Sequence, residues 1–79
     1  MDQTLAAILA VILGLKTDQI SPVLHKDDVG GWDSLKQMDL VLSLEEKYDI
    51  SLEIPDILKM DSVANIIDVL KNKGVQFED

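Results

Sequence analysis

The sequence predicts an all-α domain: a small four-helix bundle, three main helices plus one short helix, with a long loop after the first helix. Apolar residues recur at the helical period in three separate segments, and no segment alternates at the strand period for more than a few residues. Between the first and second of these segments, Lys16 to Asp33 carries Pro22, Gly30 and Gly31 with only scattered apolar residues, and reads as a connection. With 79 residues and no cysteine, the chain has room for one domain, residues 1–79 with a core of about 4–73, and must fold without disulfides. Its ends read as those of a free-standing protein.

The first helix runs from Asp2 or Thr4 to Leu13. Leu5, Ile8, Leu9, Ile12 and Leu13 fall on one face, and Gly14 stands where a left-handed cap is expected. The opposite face, Ala6, Ala7, Ala10 and Val11, is nearly free of charge and is expected to add to the core, with self-association as the alternative. The run "LAAILAVILGL" has no basic flank and is too short to span a bilayer, so it reads as neither signal peptide nor membrane anchor.

The long loop is expected to be structured, anchored by Leu15, Ile20, Val23, Leu24 and Val29; loops of this length in a compact domain usually serve function. Asp33 then caps a second helix from Ser34 to Lys47 or Tyr48, whose apolar stripes are Leu35, Met38, Leu42 and Val41, Leu44, Tyr48. Pro55 opens helices but does not sit inside them, which places a short third helix near Pro55 to Lys59. The last helix begins at Ser62, capped by that residue or Asp61. It presents Val63, Ile66, Ile67 and Leu70 on one face and stops at Gly74, leaving "VQFED" as a frayed tail.

Fifteen acidic and seven basic residues, none of them arginine, give a net charge of -8, which repels nucleic acid and anionic membranes and favours a protein partner bearing a basic patch. The stretch "GGWDSLKQMDL" concentrates the chemistry. Ser34 could be a nucleophile, an attachment point or an ordinary helix-start residue. A hydrolytic serine needs a base and an oxyanion hole. The single histidine, His25, lies upstream in the loop and reads as an exposed loop residue, so an esterase is rejected. "KDDVGGWD" lacks the alternating oxygen ligands of a calcium loop, and no metal site is expected. A hydroxyl at a helix N-terminus suits a phosphodiester, because free N–H groups and the helix dipole favour negative charge there.

Taken together, "LGL", the long loop, "GGWDSL", "KQMDLVLSLEEKYDI" and "MDSVANIIDVL", in this order and spacing, resemble the acyl carrier protein family over about Leu5 to Leu70. The resemblance implies that a phosphopantetheinyl transferase, with its magnesium, moves 4'-phosphopantetheine from coenzyme A onto Ser34. Acyl groups then ride as thioesters on the terminal sulfur. It implies that Asp33 and Leu35 belong to the modification motif, Leu35 as an anchor of the helix. It also makes Met38, Asp39, Leu42, Glu45 and Glu46 contacts for acyl-loading and acyl-processing enzymes with basic docking patches. Lys36 departs from the acidic residue common after "DSL" and is expected to alter partner choice; Trp32 points to a specialised pathway. The implied protein is a cytoplasmic monomer, a carrier and not an enzyme. The alternatives are a peptidyl or aminoacyl carrier, or an unmodified helical interaction module.

Overall fold

The computed structural model describes residues 1–77, which form four helices: α1 (Gln3–Leu13), α2 (Ser34–Tyr48), α3 (Ile54–Lys59) and α4 (Val63–Asn72). Each main helix starts on a side-chain cap. Asp2 accepts from Leu5 N, Asp33 from Lys36 N and Ser62 from Asn65 N, so each satisfies one of the N–H groups that a helix start leaves free. α1 ends as its sequence indicates, with Gly14 at φ 70, a backbone conformation that glycine adopts without a Cβ penalty. α2 ends instead on Asp49 at φ 53, a non-glycine residue that tolerates the left-handed region. α3 is six residues long, with Pro55 in its first turn and Glu53 N donating to Asp56 Oδ2 at 3.0 Å.

The core is built from Leu5, Leu9 and Leu13 of α1, Leu40 and Leu44 of α2, and Val63, Ile66 and Leu70 of α4. Trp32, Leu52 and Met60 complete it from outside the main helices. On α1, the alanine face divides. Ala6 and Ala10 are buried against the core as expected, whereas Val11 is 82% exposed. Small side chains at those two positions allow the helix to bury a second stripe without holding its neighbours away.

The long connection is ordered by two single-turn 3₁₀ helices, Thr17–Gln19 and Lys26–Asp28, and by a staple onto α4. Val63 N donates to Leu24 O (2.9 Å), Ala64 N to Pro22 O (3.0 Å) and Lys26 N to Asp61 O (2.9 Å). The loop carbonyls therefore serve donors that the start of α4 cannot satisfy internally. Ile20 and Val29 anchor the loop in the core, but Val23 does not: it is 86% exposed. His25 is likewise half-buried rather than exposed. Its Nδ1 accepts from Asp27 N at 3.1 Å, which puts the neutral ring's proton on Nε2, 3.7 Å from an Asp61 carboxylate oxygen.

The C-terminal segment is not frayed over its described part. Val75 N closes on Leu70 O at 3.0 Å, and Phe77 meets Tyr48 edge to face with ring centroids 6.1 Å apart. Both Val75 and Phe77 pack on the core. The last two tail residues, 78 and 79, lie outside the described residues.

Candidate functional site

Ser34 stands at the junction between the stapled loop and α2. The loop reaches it through Trp32, which is buried, and Asp33, whose extended backbone (φ -110, ψ -172) turns the chain into the helix. Asp33 Oδ1 accepts Lys36 N at 3.0 Å and Asp33 O accepts Gln37 N at 2.9 Å, so one residue fixes the first turn of α2. Ser34, the first helical residue, is exposed. Gly30 and Gly31 have negative φ and open space where a Cβ would stand, so the backbone does not require glycine at either position.

Ser34 opens on a groove of about 510 Å³ between the loop, α2 and α3. Trp32, Gln37 and Met38 line one side, and Leu58 and Met60 the other. Lys26, Asp27 and Asp61 also line it and give it a charged margin. The Asp61 carboxyl lies below the usual aspartate range, chiefly because Asn65 Nδ2 donates to it at 2.7 Å. Across the groove, α3 is held to the end of α4 by an ion pair, Lys73 Nζ to Asp56 Oδ2 at 2.9 Å. The Asp56 carboxyl is lowered first by the Glu53 N–H and then by Lys73, and Lys73 is raised by Asp56 in turn.

Other sequence-derived positions separate into distinct roles. Leu35 does not anchor α2: it is 73% exposed, beside Ser34, and the helix is anchored instead by Leu40, Val41 and Leu44. Met38 and Leu42 are exposed as well, and with Ile54 and Leu58 of α3 they supply apolar surface on these two helices. Asp39 and Glu46 face solvent. Glu45 is half-buried, and its Oε2 accepts Leu52 N at 2.9 Å, so this carboxylate secures the turn from α2 towards α3. Lys36 is half-buried. Gln37 carried no mark in the sequence, yet it bonds the loop to α3: Trp32 Nε1 donates to its Oε1 at 2.7 Å, and its Nε2 donates to Met60 O at 3.0 Å.

A serine so placed, exposed at the head of a capped helix and open to a groove, is compatible with a phosphodiester. Residues 3–70 match the family model described as "Phosphopantetheine attachment site". The chain belongs to this family. It is similar to the acyl carrier protein of an Exiguobacterium species, 40% identical over 48 residues, which are 61% of this chain and 60% of that protein. The matched stretch therefore spans less than two thirds of that relative's length. The fold is similar to a solution NMR structure of the holo acyl carrier protein from Geobacter metallireducens. That similarity has a TM-score of 0.78 and 26% identity over 89% of this chain and 80% of that one. The family description and the holo state of this structural neighbour both agree with 4'-phosphopantetheine as the group bound covalently. Among the described residues, no helix is long and apolar enough to cross a membrane, and no three potential metal ligands come together.

Proposed function

We propose that this chain is an acyl carrier protein, acting in the cytoplasm as a carrier and not as an enzyme, with Ser34 as the attachment point for 4'-phosphopantetheine. The observation that supports this best is the exposed Ser34 hydroxyl at the capped start of α2, open to the groove. In the attachment step Ser34 Oγ loses its proton and forms a phosphoester, while the nucleotide part of coenzyme A leaves. A phosphopantetheinyl transferase and its magnesium supply the base and the charge stabilisation. The chain's own contribution is positional: Asp33 fixes the first turn, and the N-terminal end of α2 favours the negative phosphodiester. Once attached, the group supplies a thiol that holds acyl cargo as a thioester, a nucleophile that a chain without cysteine otherwise lacks.

Partner enzymes dock on α2 and α3. Asp39 and Glu46 attract a basic patch, and Leu35, Met38 and Leu42 supply the apolar contact beside Ser34. Lys36, in the same turn, selects among partners by repelling the most basic surfaces. The test is intact mass after incubation with coenzyme A, magnesium and a broad-specificity transferase. One phosphopantetheine addition is expected on the native chain and none on a folded Ser34→Ala variant. Addition to the variant would displace Ser34, and no addition to the folded native chain would leave an unmodified interaction module.

A further inference from the structure

Gln37 lies one turn beyond Ser34 and is the residue through which α2 grips α3. Its amide makes three hydrogen bonds: Oε1 accepts Trp32 Nε1 (2.7 Å), and Nε2 donates to Met60 O (3.0 Å) and Ile57 O (3.3 Å). The indole is a donor only and the carbonyls are acceptors only, so one orientation of the amide satisfies all three partners. α3 is a short helix that packs on α4, and Gln37 spans the opening between it and α2.

That position bears on cargo. Trp32 and Met60 belong to the buried core and also line the groove, so with Gln37 they form the wall between the groove and the interior. An alkyl chain attached through Ser34 gains by leaving water, and the gain grows with each methylene. To reach the interior it must part this wall, which breaks the hydrogen bonds of Gln37 and leaves half-buried polar groups without these partners. A short or polar acyl group has less to gain inside, and it finds polar partners among the side chains lining the groove, including Lys26, Asp33 and Asp61.

Resting on the carrier reading above, we propose that Gln37 is the specificity-determining residue for cargo. By bolting the loop, α2 and α3 together, it keeps the wall closed, so that short or polar acyl groups are carried in the open groove and long alkyl chains are not buried. Gln37 acts through α3 and Trp32 and takes no part in bond making.

The test loads the chain from acyl-coenzyme A thioesters of increasing length, acetyl to dodecanoyl, with each product verified by intact mass. For every product, Tm and the rate of thioester cleavage by hydroxylamine are measured, with the emission of Trp32, the single tryptophan, as a local probe. For the native chain, Tm and cleavage rate are expected to stay flat with chain length. For Gln37→Met, which keeps the length and loses the hydrogen bonds, Tm is expected to rise by several degrees across the series, cleavage to slow and Trp32 emission to shift. If Gln37→Met does not fold, Trp32→Phe, which removes the indole donor together with part of the ring and the emission probe, is expected to show the same trend in Tm and cleavage rate. A native chain whose Tm climbs with chain length overturns the proposal, and so does a folded variant whose profile stays flat. Failure of the carrier reading is distinct, since no mass would then be gained from coenzyme A itself.

Discussion

Asp33 combines a structural and a chemical position, and substitution can separate the two. Its Oδ1 accepts Lys36 N at 3.0 Å, the one side-chain bond that closes the first turn of α2. Asp33→Ala leaves that N–H to solvent and is expected to cost about 1 kcal/mol, within the roughly 0.5–2 kcal/mol found for lost N-caps. In a domain of this size, 1 kcal/mol moves Tm by about 4–8 °C. Asp33→Asn keeps an oxygen in the capping position and gives up only the charge near the helix N-terminus, about 0.3–1 kcal/mol at an exposed site. The expected order of stability is therefore native, then Asp33→Asn, then Asp33→Ala. The assay is urea unfolding of all three, with unchanged slope m, so that midpoint shifts report stability. An Asp33→Ala midpoint equal to the native one would refute the cap, as would an Asp33→Asn loss as large as that of alanine. Initial rates of phosphopantetheine loading on the same samples then isolate the charge. If the carboxylate is recognised during transfer, Asp33→Asn loads slowly while remaining folded; if only the cap counts, it loads at the native rate.

The acidic residues of α2 are expected to divide in the same way. Glu46→Lys should leave Tm unchanged, slow transfer from a partner with a basic patch and flatten its salt dependence, as read from rates at low and high ionic strength. Glu45→Ala should lower stability by about 1 kcal/mol in urea unfolding, because Leu52 N loses its acceptor. The pH profile follows from Asp56 and Asp61, both held below the ordinary aspartate value of 3.8 in the fold. A lowered carboxyl adds stability above that value and gives it up as pH falls through the folded-state value, so Asp56→Asn with Asp61→Asn should blunt the acid limb of a Tm-against-pH curve. Superimposable acid limbs for the double variant and the native chain would contradict this. Lys73, raised mainly by Asp56, has the opposite sense: its contribution is present below 10.5 and fades at more alkaline pH.

The helices were legible because their signals are local. Caps at Asp33 and Ser62, the left-handed glycine after α1 and the proline opening α3 act within one turn, and all four mark the boundaries observed. Orientation was less legible. Leu35, Met38 and Leu42 have the same helical spacing as a core stripe, and only the positions of α1 and α4 decide that Leu40, Val41 and Leu44 turn inward instead. The same limit hid Trp32 and Met60, which enter the core from irregular segments without a period, and kept Val23 among the expected anchors. Glu45 and Gln37 were hidden for a different reason. Their hydrogen bonds run to Leu52, Ile57 and Met60, and nothing in a glutamate or glutamine on a polar helix face announces a partner beyond that helix. Ser34, the proposed attachment point, stood out because the motif around it is contiguous in sequence.

The exposed stripe on α2 has a consequence for charge. Leu35, Met38 and Leu42, with Ile54 and Leu58 on α3, present apolar side chains that monomeric proteins ordinarily keep scattered, because a shared patch invites association. A net charge of -8 works against that association between identical copies, since each approach brings like charges together. Towards a basic partner the same charge changes sign in its effect, drawing the surfaces together at long range before the apolar side chains touch. On the docking proposed above, Asp39 and Glu46 and the exposed Leu35, Met38 and Leu42 act as one device: charge selects which surface approaches, and apolar contact, made only after approach, holds it beside Ser34. Glu46→Lys should therefore weaken encounter with a basic partner and also raise the tendency to self-associate at low salt, a second readout from the same variant.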